Sequence, residues 1–170
     1  AGDLSALRRS IYVSFLLIGT VTILLNVAVF LWLDPILRWL QVPYDIYSLM
    51  RNYLWIIFWG IVFTFLYNFY AALLRAVGDS VTPLWFLAVS VVLNIGLDLF
   101  LILVLDQGIE GAAVATVIAQ GTAASGILLY TYKIRPELRL HREDMRFDRS
   151  SLREITSFST LTCVQQSVMN

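Results

Sequence analysis

Charge is scarce in this sequence. Asp, Glu, Lys and Arg make up 14% of the 170 residues, while apolar and aromatic types make up 59%. A soluble domain carries about 25% charge, because its surface must be largely wetted. The shortage excludes an ordinary soluble fold and leaves lipid as the solvent. Twelve bases balance twelve acids, so net charge points to no partner, and nothing suggests nucleic-acid binding. Cysteine is nearly absent: Cys163 stands alone, which excludes an internal disulfide. A single histidine, His141, leaves no His/Cys metal set. Neither residue has the partners a nucleophile needs. Gly78-Asp79-Ser80 lacks the lysine pattern of a phosphate-cradling loop. An enzyme is not expected, and no cofactor. The chain starts Ala-Gly-Asp, without the basic start and short apolar core of a secretory signal. It stops at Asn170 inside an apolar run. It reads as an internal piece of a longer protein.

What is present is a set of long apolar runs. Residues 11–33, 52–74 and 111–132 contain no charge, and 84–105 contains one, Asp98. About 20 helical residues cross the hydrocarbon. In lipid the backbone must bond to itself, so such runs are helices. The expected fold class is all-α, a polytopic transmembrane bundle of four complete spans. A fifth run, 155–170, is too short to cross. Ser151 and Glu154 have capping-box spacing, so a truncated span is expected to start there. The alternative is a surface amphipathic helix.

Orientation follows from Lys and Arg. Arg8, Arg9, Arg75 and the seven bases between Lys133 and Arg153 fall on one side; Arg38 and Arg51 fall on the other. The first side is read as cytoplasmic, so spans one and three run outward. Gly78 is placed to stop the second helix. Thr82 and Pro83 are read as N-cap and first residue of the third. The 34–51 segment, with Trp39, Tyr44 and Tyr47, is expected to rest in the outer interface. Residues 133–154 mix bases with Glu137, Glu143, Asp144, Asp148 and Glu154, as a solvated linker does.

Asp98 is the most informative residue. A carboxylate in a spanning helix costs roughly 2.5–3.5 kcal/mol on insertion scales, so it should face the bundle interior or a wet cavity. Asn94 lies four residues earlier, on the same helical face. Measured along ideal helices, Asp98 and Thr116 fall at similar depths, roughly 8–9 Å from the outer edge, with Asn94 nearer the midplane. Acid, amide and hydroxyl suit a proton or a hard cation such as sodium. The plain alternative is a structural hydrogen bond.

Small residues crowd span four, from Gly111 to Gly126, and indicate close helix packing. Gln120 is expected to face the interior. Asn26 and Asn68 are expected to bond between helices. Tyr53, Trp55, Trp59, Phe63 and Tyr67 recur along span two, where aromatics pack or face lipid before they line a drug pocket.

Three segments together resemble the multidrug and toxic compound extrusion family: Arg75-Ala-Val-Gly-Asp-Ser-Val-Thr-Pro83, Asn94-Ile-Gly-Leu-Asp98 and Gly108-Ile-Glu-Gly-Ala-Ala-Val-Ala-Thr116. Gln165-Gln166-Ser167 looks like the family's seventh helix, and the likeness runs from about Leu7 to Gln166. It implies two six-helix lobes, alternating access, and export of organic, often cationic, drugs against inward H+ or Na+. It would make residues 1–132 helices three to six of the N-terminal lobe. Residues 133–154 would be the inter-lobe linker, and 155–170 the start of the first C-terminal-lobe helix. One branch of the family holds its coupling cation in the N-lobe; there the fifth-helix asparagine and aspartate map onto Asn94 and Asp98, and the sixth-helix threonine onto Thr116. The matching first-helix acid would lie outside this chain. The implied setting is multi-pass, in the bilayer of the inner (plasma) membrane, with the rest of the same polypeptide as partner. A lipid-linked oligosaccharide flippase of the same superfamily is the alternative; the absence of Lys and Arg from the four runs counts against it. A non-transporting membrane scaffold is the third reading.

Overall fold

The structure is a computed structural model that describes residues 2–138. The expected helix at 155–170 and most of the expected linker lie outside the described residues. Residues 1–20 with 135–170 form one compact unit, and residues 21–134 form another. Of the first, the described part is the opening of helix α1, with Ile11 and Val13 buried, and the short turn Pro136–Leu138. The second unit holds everything discussed below.

The helices are α1 (Gly2–Trp39), α2 (Tyr44–Ala76), α3 (Val81–Leu99) and α4 (Gly108–Ile134). Helix α3 continues without a break as a π-helical segment, Phe100–Val104. The described residues contain no strand. All four helices are long and apolar enough to cross a membrane. Each is longer than its apolar run, α3 when counted with its π segment. At 1.5 Å per residue α2 is about 50 Å long, against a hydrocarbon core of about 30 Å.

The 34–51 segment is taken up by the ends of two helices and the turn between them. Helix α1 runs through Pro35 to Trp39, and α2 begins at Tyr44. Pro35 lies inside the helix, which can lose the one hydrogen bond that proline denies it. The turn is closed by Gln41 N–H to Arg38 O (3.0 Å) and Val42 N–H to Leu37 O (3.2 Å). This is a Schellman end, which needs a left-handed residue at its pivot. Gln41 fills that place with φ 53°, at a cost of about 1–2 kcal/mol relative to an ordinary conformation.

Helix α2 ends the same way around glycine. Gly78 has φ +87°, with Gly78 N–H to Arg75 O (3.1 Å) and Asp79 N–H to Leu74 O (2.9 Å). The start of α3 differs from expectation. It begins at Val81, with Ser80 in the N-cap place and no side-chain cap bond from it. Asp79 supplies the acceptor: Oδ1 takes the Thr82 N–H (3.1 Å) and Oδ2 the Thr82 hydroxyl (2.8 Å). Pro83 is therefore the third helical residue. A carboxylate outcompetes a hydroxyl for the exposed first-turn donors, helped by the helix dipole.

Helix α4 is the centre of this unit and packs on both α2 and α3. Its buried ridge repeats every fourth residue: Gly111, Ala115, Ala119, Ala123, Ile127 and Thr131. Small side chains along such a ridge let neighbouring backbones approach. Phe63 lies against Gly121, and Phe86 against Gly126. Gln120 faces α2, its Oε1 close over Gly60. At the other end of the unit Ala71, Leu74 and Ile127 form a buried cluster walled by Tyr67, Tyr70, Phe86 and Tyr130. Helix α1 leans on α2 through Phe30, whose ring meets Trp55, Phe58 and Trp59 at 5.8–6.0 Å. Asn26 does bond between helices, donating to Phe58 O (2.8 Å). Asn68 does not: it is exposed and makes no such bond among the described residues. The aromatics of α2 pack or lie exposed: Phe63 lies against Gly121, Tyr67 is half-buried, and Trp55 and Trp59 are exposed.

Candidate functional site

Asn94 and Asp98 stand one turn apart on α3, and Thr116 lies across the seam on α4. All three are half-buried. The structure joins Asn94 to Thr116: Nδ2 donates to the threonine Oγ1 at 3.4 Å. The Thr116 hydroxyl spends its own proton on Ala112 O (2.9 Å) within α4. The amide proton therefore meets an oxygen that still has a free lone pair.

Asp98 and Thr116, read at similar depths, are not joined by a hydrogen bond among the described residues. Two features shift the depths. Helix α4 starts at Gly108 rather than Gly111, so Thr116 lies about 12 Å from its start. On the other side, the π segment packs more residues into each unit of length than an α-helix does. It draws Asn94 and Asp98 together towards the turn.

Asp98 has a different environment. Its Oδ1 is buried and has no hydrogen-bond partner among the described residues. Buried carboxylate oxygens are rarely left so, because each costs the full desolvation of the group. The acid sits at the junction where α geometry gives way to π geometry. Such junctions carry widened backbone rings and recur at functional sites. Leu105 N–H reaches back to Phe100 O (3.2 Å) and Gln107 N–H to Leu101 O (3.0 Å). Gly111 holds α4 against this segment, since a Cβ there would lie 3.1 Å from Leu101 Cβ. No group of three His, Cys, Asp or Glu side chains comes together among the described residues. Any cation held here would meet one carboxylate with neutral oxygens: the Asn94 carbonyl and the Thr116 hydroxyl.

Two polar clusters escaped the sequence reading. At one end Tyr67 donates to Pro83 O (2.8 Å), and Thr82 and Tyr130 share Asp79 Oδ2 (2.8 and 3.5 Å). This ties the α2–α3 turn to the end of α4. At the other end Asp34 Oδ1 accepts from Arg51 Nε (2.8 Å) and the Tyr47 hydroxyl (3.1 Å), and Asn52 donates to Glu110 Oε1 (2.9 Å). The Asp79–Thr82 spacing of three was a legible signal. Asp34 and Arg51 are too far apart in sequence to give one.

The MatE family model matches residues 1–100 of this chain. A probable multidrug resistance protein of Bacillus subtilis (strain 168), YpnP, is 40% identical over 131 residues; these cover 77% of this chain and 29% of that protein. A second from the same organism, YoeA, is 39% identical over 119 residues, covering 68% and 24%. The probable multidrug resistance protein NorM of Thermotoga maritima is 31% identical over 130 residues, covering 74% and 28%. The match thus spans less than a third of each relative's length. No solved structure matches this chain.

Proposed function

Because this chain belongs to the MatE family, we propose that it is part of a multidrug exporter driven by inward flow of H+ or Na+. The observation that carries the coupling step is the unpartnered buried oxygen of Asp98 beside the Asn94–Thr116 pair. Asp98 is the only charged residue within the four apolar runs. A proton on that oxygen, or a sodium ion against it, neutralises the carboxylate and supplies the interaction it lacks. Asn94 and Thr116 add neutral oxygens that suit a hard cation. Charge on Asp98 then decides how tightly α3 and α4 can close in low dielectric. A cation that binds one closure better than the other shifts the balance between inward- and outward-facing states. Organic, often cationic, compounds are the proposed cargo, and the plasma membrane the proposed site.

The test uses the full-length parent protein in efflux-deficient bacteria. Accumulation of a fluorescent organic cation is compared for wild type and Asp98→Asn at matched membrane expression. Wild type should lower accumulation and the variant should not. Equal export by both would make Asp98 structural. If wild type exports none of the dyes tried, the reading as a drug exporter fails.

A further inference from the structure

The α1–α2 turn borders a half-open cavity of about 610 Å³ lined by Arg38, Gln41, Val42, Pro43, Tyr44 and Tyr47. We propose that this cavity holds the phosphodiester headgroup of a phospholipid in the leaflet that meets this end of the bundle. Of the two bases here, Arg51 is engaged by Asp34. The Arg38 side chain makes no hydrogen bond or close ion pair among the described residues and only attracts Asp34 from a distance, so its guanidinium, a two-pronged donor suited to phosphate oxygens, is open to the cavity. The nearby acid, Asp34, is already held by Arg51 and Tyr47, and no acid lines the cavity. Gln41 keeps a left-handed backbone that glycine would adopt without strain. Glutamine brings what glycine lacks, an amide group at the cavity wall. The surroundings select a lipid over a free anion. Trp39 is 84% exposed, Tyr44 98% and Leu40 59%. An indole and a phenol so exposed at the end of a spanning helix settle at headgroup level, and Leu40 offers apolar surface to the adjoining acyl chains.

The full-length parent protein, purified in non-ionic detergent, is titrated with dioleoylphosphatidylglycerol, with dioleoylglycerol, and with inorganic phosphate. Binding is read by native mass spectrometry. Arg38→Gln should weaken phosphatidylglycerol binding about tenfold, as loss of a charge-assisted bidentate contact does. Binding of dioleoylglycerol should not change. Gln41→Gly, which relaxes the backbone and so does not endanger folding, should weaken phosphatidylglycerol about threefold. Unchanged lipid affinity in both variants overturns the site. Displacement of the lipid by inorganic phosphate at equal concentration makes it a free-anion site and overturns the lipid assignment. Neither result bears on drug export.

Discussion

Gly126 lies under the ring of Phe86 where α4 crosses α3. A Cβ at Gly126 would fall 2.7 Å from Cε1 of that ring and 2.8 Å from Cδ1. Carbon pairs settle at about 3.5–4.0 Å, so the ring would have to retreat by roughly 0.8 Å. It cannot do so freely, because its other side meets Tyr130 edge-on at 6.0 Å, and Tyr130 is tied to Asp79 and Thr82. Overpacking of this kind costs about 1–3 kcal/mol. Replacing a helical glycine returns about 0.5–1 kcal/mol, so Gly126→Ala should lose up to about 2.5 kcal/mol net. Gly96, on α3, is the internal control. Nothing lies within 4 Å of its added Cβ, so Gly96→Ala should gain about 0.5–1 kcal/mol by the same backbone effect. Unfolding midpoints of the purified full-length parent would rank Gly96→Ala above wild type and Gly126→Ala below. If Gly126→Ala is as stable as Gly96→Ala, the α3–α4 seam is not packed as described. The position of Thr116 relative to Asn94 would then lose its support.

Two further substitutions probe the seam and its ends. Thr116→Val keeps the side-chain volume but removes the hydroxyl. Ala112 O keeps its helical bond, and the Asn94 contact is long at 3.4 Å, so stability should change by less than about 1 kcal/mol. The cation concentration giving half-maximal transport should rise about fivefold, measured as dye export against imposed H+ or Na+ gradients. Tyr67→Phe removes the 2.8 Å bond to Pro83 O and should cost about 0.5–1.5 kcal/mol of unfolding stability, with export by the remaining folded protein unchanged.

The four helices were legible because lipid imposes a constraint that sequence must display openly: some twenty apolar residues without charge. Their ends were less legible. Hydropathy marks where the hydrocarbon stops, not where the helix stops, and α1 and α2 continue past that edge until a Schellman turn ends each. Gly78 announced its turn because glycine is the usual pivot. Gln41 did not, because the sequence places there a residue that favours the turn less.

The candidate site shows the same division between composition and geometry. Asp98, Asn94 and Thr116 stood out as the acid, amide and hydroxyl near one end of two neighbouring spans, and Asn94 and Thr116 meet across the α3–α4 seam. Which of them meet was decided by details that residue types do not carry. Phe-Leu-Ile-Leu-Val reads equally well as α or π helix, since neither side-chain polarity nor volume distinguishes the two hydrogen-bond registers. Yet that five-residue segment changes the depth of everything before it. Thr116 takes the Asn94 amide, and Asp98 Oδ1 is buried with no hydrogen-bond partner among the described residues. The one acid of the four apolar runs thus keeps a buried oxygen with no partner among the described residues, beside the start of the widened backbone rings, where a proton, a cation or another part of the full-length protein would supply the missing interaction.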